Sequence, residues 1–257
     1  IMDNKAQAGL VLTAEYSDLW KEDKKTETNE VMFALQHSAK HKIASNYGKS
    51  YYPSDYSPNA GWADYYGNED FLKAYPNDDR KEWNYMTEWK IKSGEIIPYT
   101  ESADKLPAIS KYYDYDEGAP GKSAQSNGIT CIYRYAEVLL MYAEASTRAT
   151  NSVNQDALNA IQEVQKRAGY QDRQIELTTT TEPTAFLAAV SNERGWEFFA
   201  EMKRWFELVR LEKVKEVRAE EWDASTFNTN HHYYFPVPYQ QVDLAGWTKD
   251  INIPQNF

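Results

Sequence analysis

Glu193-Arg194-Gly195-Trp196-Glu197-Phe198-Phe199-Ala200-Glu201-Met202-Lys203-Arg204-Trp205-Phe206-Glu207-Leu208-Val209-Arg210 is the stretch whose reading decides the fold. At helical pitch Glu193, Glu197 and Glu201 fall four residues apart on one stripe, with Arg194 and Arg204 in reach and Trp196, Phe199, Trp205 and Phe206 on other faces. Rings on several sides require burial on several sides. Carboxylates carried into such a setting must meet cations or donors, because an unpaired buried charge is very costly. The stretch therefore predicts one central helix locked by an internal network of Glu193, Arg194, Glu197, Glu201 and Arg204.

Two readings of these carboxylates stand. Glu197 and Glu201, one turn apart, could serve as the acid and base of a glycoside hydrolase, whose two carboxyl groups flank the scissile bond. Alternatively they form a structural ion-pair lattice. Interleaved arginines favour the lattice, since a nearby guanidinium keeps a carboxylate ionised whereas a general acid must hold its proton.

The segment resembles the C-terminal signature of the SusD/RagB family, a Glu-Arg-Arg opening followed by an aromatic run that ends in Arg-Trp-Phe-Asp-Leu-x-Arg. Here Glu193-Arg194-Gly195 and Arg204-Trp205-Phe206-Glu207-Leu208-Val209-Arg210 carry it, with Gly195 and Glu207 as the departures. Gly195 loosens a helix by about 1 kcal/mol relative to alanine. A second match, Arg134-Tyr135-Ala136-Glu137-Val138-Leu139-Leu140-Met141-Tyr142-Ala143-Glu144-Ala145, is nearly letter for letter.

The chain has 257 residues, enough for a large core, and a formal charge of −11. Phosphate binding needs a basic stripe and none is visible, so nucleic acid is excluded as a partner. No run approaches the roughly twenty apolar residues of a membrane span. Cys131 is the single cysteine, which excludes an internal disulfide framework. The 20 Tyr and 8 Trp exceed what a core requires, and exposed rings of this kind are the usual surface for stacking on planar or sugar-ring ligands. The N-terminus, Ile1-Met2-Asp3-Asn4-Lys5, lacks the features of a signal peptide. The resemblance implies proteins about twice as long that begin with a lipoprotein signal. It therefore implies that this chain is a C-terminal half, arising by truncation, cleavage or design of the expressed segment.

In order along the chain, residues 1–44 read as the tail of a helix (Ala6 to Trp20), a charged loop and a strand-like piece, Asn29 to Gln36. Residues 45–128 read as a loop-rich ligand face, with a short helix at Asn68 to Ala74, an Asn77-Asp78-Asp79-Arg80 turn and a β-hairpin within Glu82 to Tyr99. Residues 129–257 read as the helical core and an extended tail. There a helix over Ile132 to Ala149 and a second, opened by a Ser152-x-x-Gln155 capping box and stopped at Gly169, form a tetratricopeptide-type hairpin. Pro183 begins a third helix that runs into the central one. The fold class is mainly α: helical hairpins packed with an irregular region and one short hairpin, SusD-like by resemblance, over 1–257 as a single region.

Between Ser45 and Pro76 periodicity is lost and rings accumulate. A platform reading assigns ligand contact to Trp62 first, then to Tyr65, Tyr66, Tyr52 and Tyr51, with Asp64 and Asn59 bonding sugar hydroxyls. A packing reading turns the same rings onto the helical body. His37/His41 and the adjacent His231/His232 lack a third ligand, and Asp114, Asp116 and Glu117 lack EF-hand spacing, so neither metal nor other cofactor is expected.

The resemblance implies a non-catalytic protein of the outer-membrane surface of Bacteroidota cells, lipid-anchored in full-length form. It would bind oligosaccharide for nutrient uptake and deliver it to a SusC-like TonB-dependent transporter. The competing functions are the hydrolase above and a tetratricopeptide-like interaction scaffold with no sugar site.

Overall fold

The computed structural model describes residues 4–57, 59–112, 126–217, 233 and 238–244. The chain falls into two compact units, residues 1–201 and 202–257.

The first unit opens without the expected helix. Gly9 takes a φ of 68°, the N–H of Thr13 donates to the Glu30 carboxylate at 2.8 Å, and two 3-10 turns, Tyr16–Leu19 and Glu22–Lys24, follow. Tyr16, Leu19 and Trp20 are nonetheless buried. Strand β1 (Val31–Gln36) comes next, then α1 (Tyr47–Tyr51) and α2 (Glu69–Ala74), which is capped by the Asn68 side chain accepting from Phe71 N. Asp78, expected in a turn, instead caps α3 (Asp79–Asn84) by accepting from the N–H groups of Arg80 and Lys81. Short strands β2 (Tyr85–Met86), β3 (Glu88–Lys90), β4 (Ile96–Pro98) and β5 (Ala108–Ile109) follow. The expected hairpin is β3–β4, antiparallel with Glu88 opposite Pro98 and Lys90 opposite Ile96, turning at Gly94 with φ 92°.

Strand β6 (Ile129–Arg134) pairs antiparallel with β1, which joins the first and third sequence stretches in one small sheet. Helix α4 (Tyr135–Thr150) therefore starts three residues later than expected. Arg134 stays extended opposite Val31, and Tyr135 N donates to Glu30 O at 2.8 Å. Asn151 closes α4 in the left-handed conformation. The cap of α5 (Gln155–Arg167) is Asn154, which accepts from Ala157 N at 2.8 Å. Ser152, the expected cap, bonds Thr150 instead. Gly169, at φ 83°, ends this element as predicted. Pro183 begins α6 (Pro183–Glu197). Helices α4, α5 and α6 bury Leu139, Leu140, Ile161, Val164, Phe186 and Val190 almost completely, each contributing about 1.5–3 kcal/mol by removal from water. The first unit is mainly helical.

The central helix is not continuous. It stops at Glu197, Ala200 takes a left-handed φ of 58°, and helix resumes only as α7 (Arg204–Arg210) in the second unit. Distant side chains occupy the carbonyls that a continuous helix would use internally. Arg134 donates to Glu197 O at 2.7 Å, Lys111 to Phe199 O at 2.7 Å and Tyr112 to Ala200 O at 2.9 Å. In the second unit α8 (Val214–Val217) and a short helix, Tyr239–Leu244, follow α7. Most of the charged and extended tail read from the sequence lies outside the described residues.

Candidate functional site

The three glutamates do reach one buried centre, but the cations that meet them are not those expected. Arg80, at the start of α3, donates through Nη1 to Glu193 at 2.6 Å and Glu197 at 2.7 Å, and through Nη2 to Asp78 at 2.6 Å. Arg134, the last residue of β6, donates to Glu30 at 2.7 Å and to Glu197, and reaches Glu201 at 2.9 and 3.1 Å. Arg167, ending α5, bridges Glu30 at 2.8 Å and Glu197. Lys111 donates to Glu201 at 2.7 Å and lies 4.2 Å from the Trp20 ring centre.

Arg194 and Arg204 serve elsewhere. Arg194 faces Glu137 at 3.6 Å and Arg204 faces Glu207 at 3.1 Å. Helical spacing points only to cations one turn away, whereas the partners sit on other elements. Arg80 stands in the Asn77-Asp78-Asp79-Arg80 stretch and Arg134 opens the Arg134–Ala145 match, but nothing local marks either as a counter-ion.

Five carboxylates (Glu30, Asp78, Glu193, Glu197, Glu201) thus meet four cations (Arg80, Lys111, Arg134, Arg167), with side chains at most 4% exposed. Neutral donors balance the remainder, with Tyr170 Oη and Gln165 Nε2 each 3.2 Å from Glu193. Burial raises Glu193 and Asp78 above the usual carboxylate range, against the pull of Arg80. Burial also works on Glu197, yet Arg167, Arg134 and Arg80 together hold it well below that range. Glu201 is lowered too, because Arg134 and Lys111 outweigh its burial. Burial pushes Lys111 down to about 8 despite Glu201.

Chemically this centre is closed. Glu197 and Glu201 have fully buried side chains, and the guanidinium of Arg134 occupies the space where a hydrolase would seat its scissile bond. Glu197 is held ionised and so lacks the proton of a general acid.

The seven residues of the expected ligand face separate into interior and surface. Tyr51 and Tyr52 are only 7% and 1% exposed. Tyr51 stacks on Tyr112 at 5.9 Å and 15°, and Tyr52 packs on Tyr56 at 5.2 Å, so both are supports rather than surface. Trp62 and Tyr65 are 52% and 59% exposed, and the inner side of the Tyr65 ring rests on Tyr51 at 5.5 Å. Asp64 is exposed, while Asn59 and Tyr66 are half-buried. Burial and a hydrogen bond to Asp104 both raise the Tyr66 hydroxyl.

Main-chain bonds stiffen this rim. Gly61 N donates to Pro53 O at 2.8 Å, Trp62 N to Lys49 O at 2.9 Å, Ala63 N to Tyr52 O at 3.1 Å and Asp64 N to Ser50 O at 2.9 Å. Gly61 lies so close to α1 and the residues after it that a Cβ there would come within 1.8 Å of Tyr52 O. Ala63 takes a φ of 55°. The backbone beneath the exposed indole and phenol is therefore held in place. A cleft of about 350 Å³ between Val11–Asp18 and Lys24–Asn29 carries no aromatic ring in its lining.

Among the described residues no group of three or more His, Cys, Asp or Glu could hold a metal. His37 uses Nδ1 on Ile43 O and Nε2 on Thr130 Oγ1, so it does not chelate with His41. His231, His232, Asp114, Asp116 and Glu117 lie outside the described residues.

A family model, that of the SusD family, matches residues 28–256. SusD-like protein P2 of Formosa agariphila is 26% identical over 93% of this chain and 51% of its own length. The chain thus spans about half the length of that relative. A SusD superfamily protein from Parabacteroides distasonis superposes with a TM-score of 0.76 at 21% identity, covering 95% of this chain and 54% of that one. Surface glycan-binding protein A from Bacteroides thetaiotaomicron, solved in complex with laminarihexaose, gives a TM-score of 0.67 at 23% identity, covering 92% of this chain and 54% of that one.

Proposed function

The chain belongs to the SusD family, and from that premise we propose that it is part of a non-catalytic glycan binder of the outer-membrane surface. It takes oligosaccharide on the rim of Trp62 and Tyr65, and the full-length, lipid-anchored protein delivers the ligand to a SusC-like TonB-dependent transporter for uptake. One observation carries this reading: Trp62 is more than half exposed on a loop tied to α1 and the following residues by main-chain bonds. An apolar ring kept in water by its backbone is poised for the C–H face of a sugar, with Asp64 and Asn59 beside it for hydroxyl groups. The related glycan-binding protein solved with laminarihexaose supports the same assignment. The sealed lattice around Glu197 favours binding over hydrolysis.

A glycan array followed by calorimetric titration of the captured oligosaccharides tests it. Trp62→Ala is expected to weaken binding about tenfold, matching roughly 1.4 kcal/mol of lost stacking. Affinity unchanged in that variant, or release of reducing ends from any captured glycan, would defeat the proposal.

A further inference from the structure

The charge around the rim selects among glycans, and this inference rests on the platform reading above. Asp64 stands between the two exposed rings in sequence, is itself exposed, and its carboxylate meets no donor among the described residues. The neighbouring carboxylates are already engaged. Asp55 accepts from Trp89 Nε1 at 2.7 Å and from Ala103 N at 2.9 Å, and Asp104 accepts from Ser54 Oγ at 2.9 Å. These bonds tie the rim to the neighbouring loop and leave net negative charge behind it. The adjoining cation, Lys49, is half-buried on α1, and its carbonyl holds Trp62. The loop thus offers a sugar two rings and one available acceptor-only group.

We propose that the rim recognises neutral glycans and rejects uronate-bearing or sulfated ones. An ionised carboxylate can accept only, so it pairs with the hydroxyl donors of a sugar, two adjacent hydroxyls filling its two oxygens. A carboxylate or sulfate ester on the ligand would bring a like charge up to Asp64, and like charges brought together at an interface suppress the wrong partner. The whole chain, at −11, repels a polyanion during approach as well.

The test is an array of size-matched neutral, uronate and sulfated oligosaccharides read with the wild type, Trp62→Ala, Asp64→Asn and Asp64→Lys. The wild type is expected to capture neutral oligosaccharides only. Asp64→Asn should weaken that capture about tenfold, the loss typical of one charge-assisted hydrogen bond. Asp64→Lys should admit acidic oligosaccharides that the wild type refuses. Wild-type capture of a uronate or sulfated glycan that is lost in Trp62→Ala would overturn the charge inference and leave the platform standing. If nothing is captured, or capture ignores Trp62→Ala, the platform reading itself falls and this inference with it. Asp64 is exposed, so melting temperatures should be unchanged and the variants remain interpretable.

Discussion

Arg134 stands between Glu197 and Glu201, giving Nη1 to the first carboxylate and Nη2 to the second at 2.9 Å. One guanidinium at the end of β6 thereby fixes both the end of α6 and the turn after it, and also caps the Glu197 carbonyl at 2.7 Å. The position explains why a helix rich in helix-forming residues breaks where it does.

Removing that guanidinium should be severe. In Arg134→Met, Glu30, Glu197 and Glu201 lose their shared partner in a dry interior, and breaking a buried pair from one side costs about 3–5 kcal/mol. Urea unfolding should show a midpoint lowered accordingly. A change below about 1 kcal/mol would mean that water reaches the centre.

Acid should weaken the fold through particular groups. Glu201 is held below its ordinary 4.5, so its contribution is complete above that value and fades as pH falls through its folded-state value. Glu197 acts in the same direction. Glu193 and Asp78 are raised, so their contribution is complete below the unfolded value and is lost as pH rises through the folded one. Stability measured by urea from pH 6 to pH 3 should fall on acidification, and Glu201→Gln should flatten the fall. A steeper fall in that variant would reverse the assignment.

Lys111 should titrate near 8, about where burial places it. Its folded value lies below the ordinary 10.5, so the unfolded chain holds the proton more tightly between the two. The group's contribution to stability therefore rises with pH across that window. The 13Cε shift of labelled lysine, assigned by comparison with Lys111→Arg, should turn over near pH 8. A turnover near 10.5 would place the side chain in water.

Gly61→Ala should disturb the rim without touching a ring. Its Cβ would sit 1.8 Å from the Tyr52 carbonyl, too close for any rotamer to relieve, so the loop must shift away from α1. Glycan affinity should fall about as far as in Trp62→Ala, and overpacking should lower stability by about 1–3 kcal/mol. Full affinity in Gly61→Ala would show that the pinned loop does not position Trp62.

The sequence made some of this readable for physical reasons. Pro183 and Gly169 are local signals, and the helix start and the helix end they mark lie where they were expected. The carboxylates were readable as buried, because rings surround them at helical pitch. Their partners were not, since Arg80 lies 113 residues from Glu193 and Arg134 lies 67 residues from Glu201. Periodicity reports neighbours within a turn and says nothing at that range. The break after Glu197 was hidden for the same reason, as Lys111, Tyr112 and Arg134 arrive from elsewhere in the fold to take its carbonyls. In the rim, Tyr51 and Trp62 look alike as rings in an aperiodic stretch. Only the packing onto Tyr112 separates the buried one from the exposed one.

The central claim is that the buried charges hold the fold while exposed rings meet the ligand. A crystal structure of the chain with an oligosaccharide that it captures tests this most directly. The account predicts a sugar ring stacked on Trp62 or Tyr65, with Arg134 still lodged between Glu197 and Glu201. Saccharide seated among those two carboxylates, with Trp62 and Tyr65 bare, would contradict it.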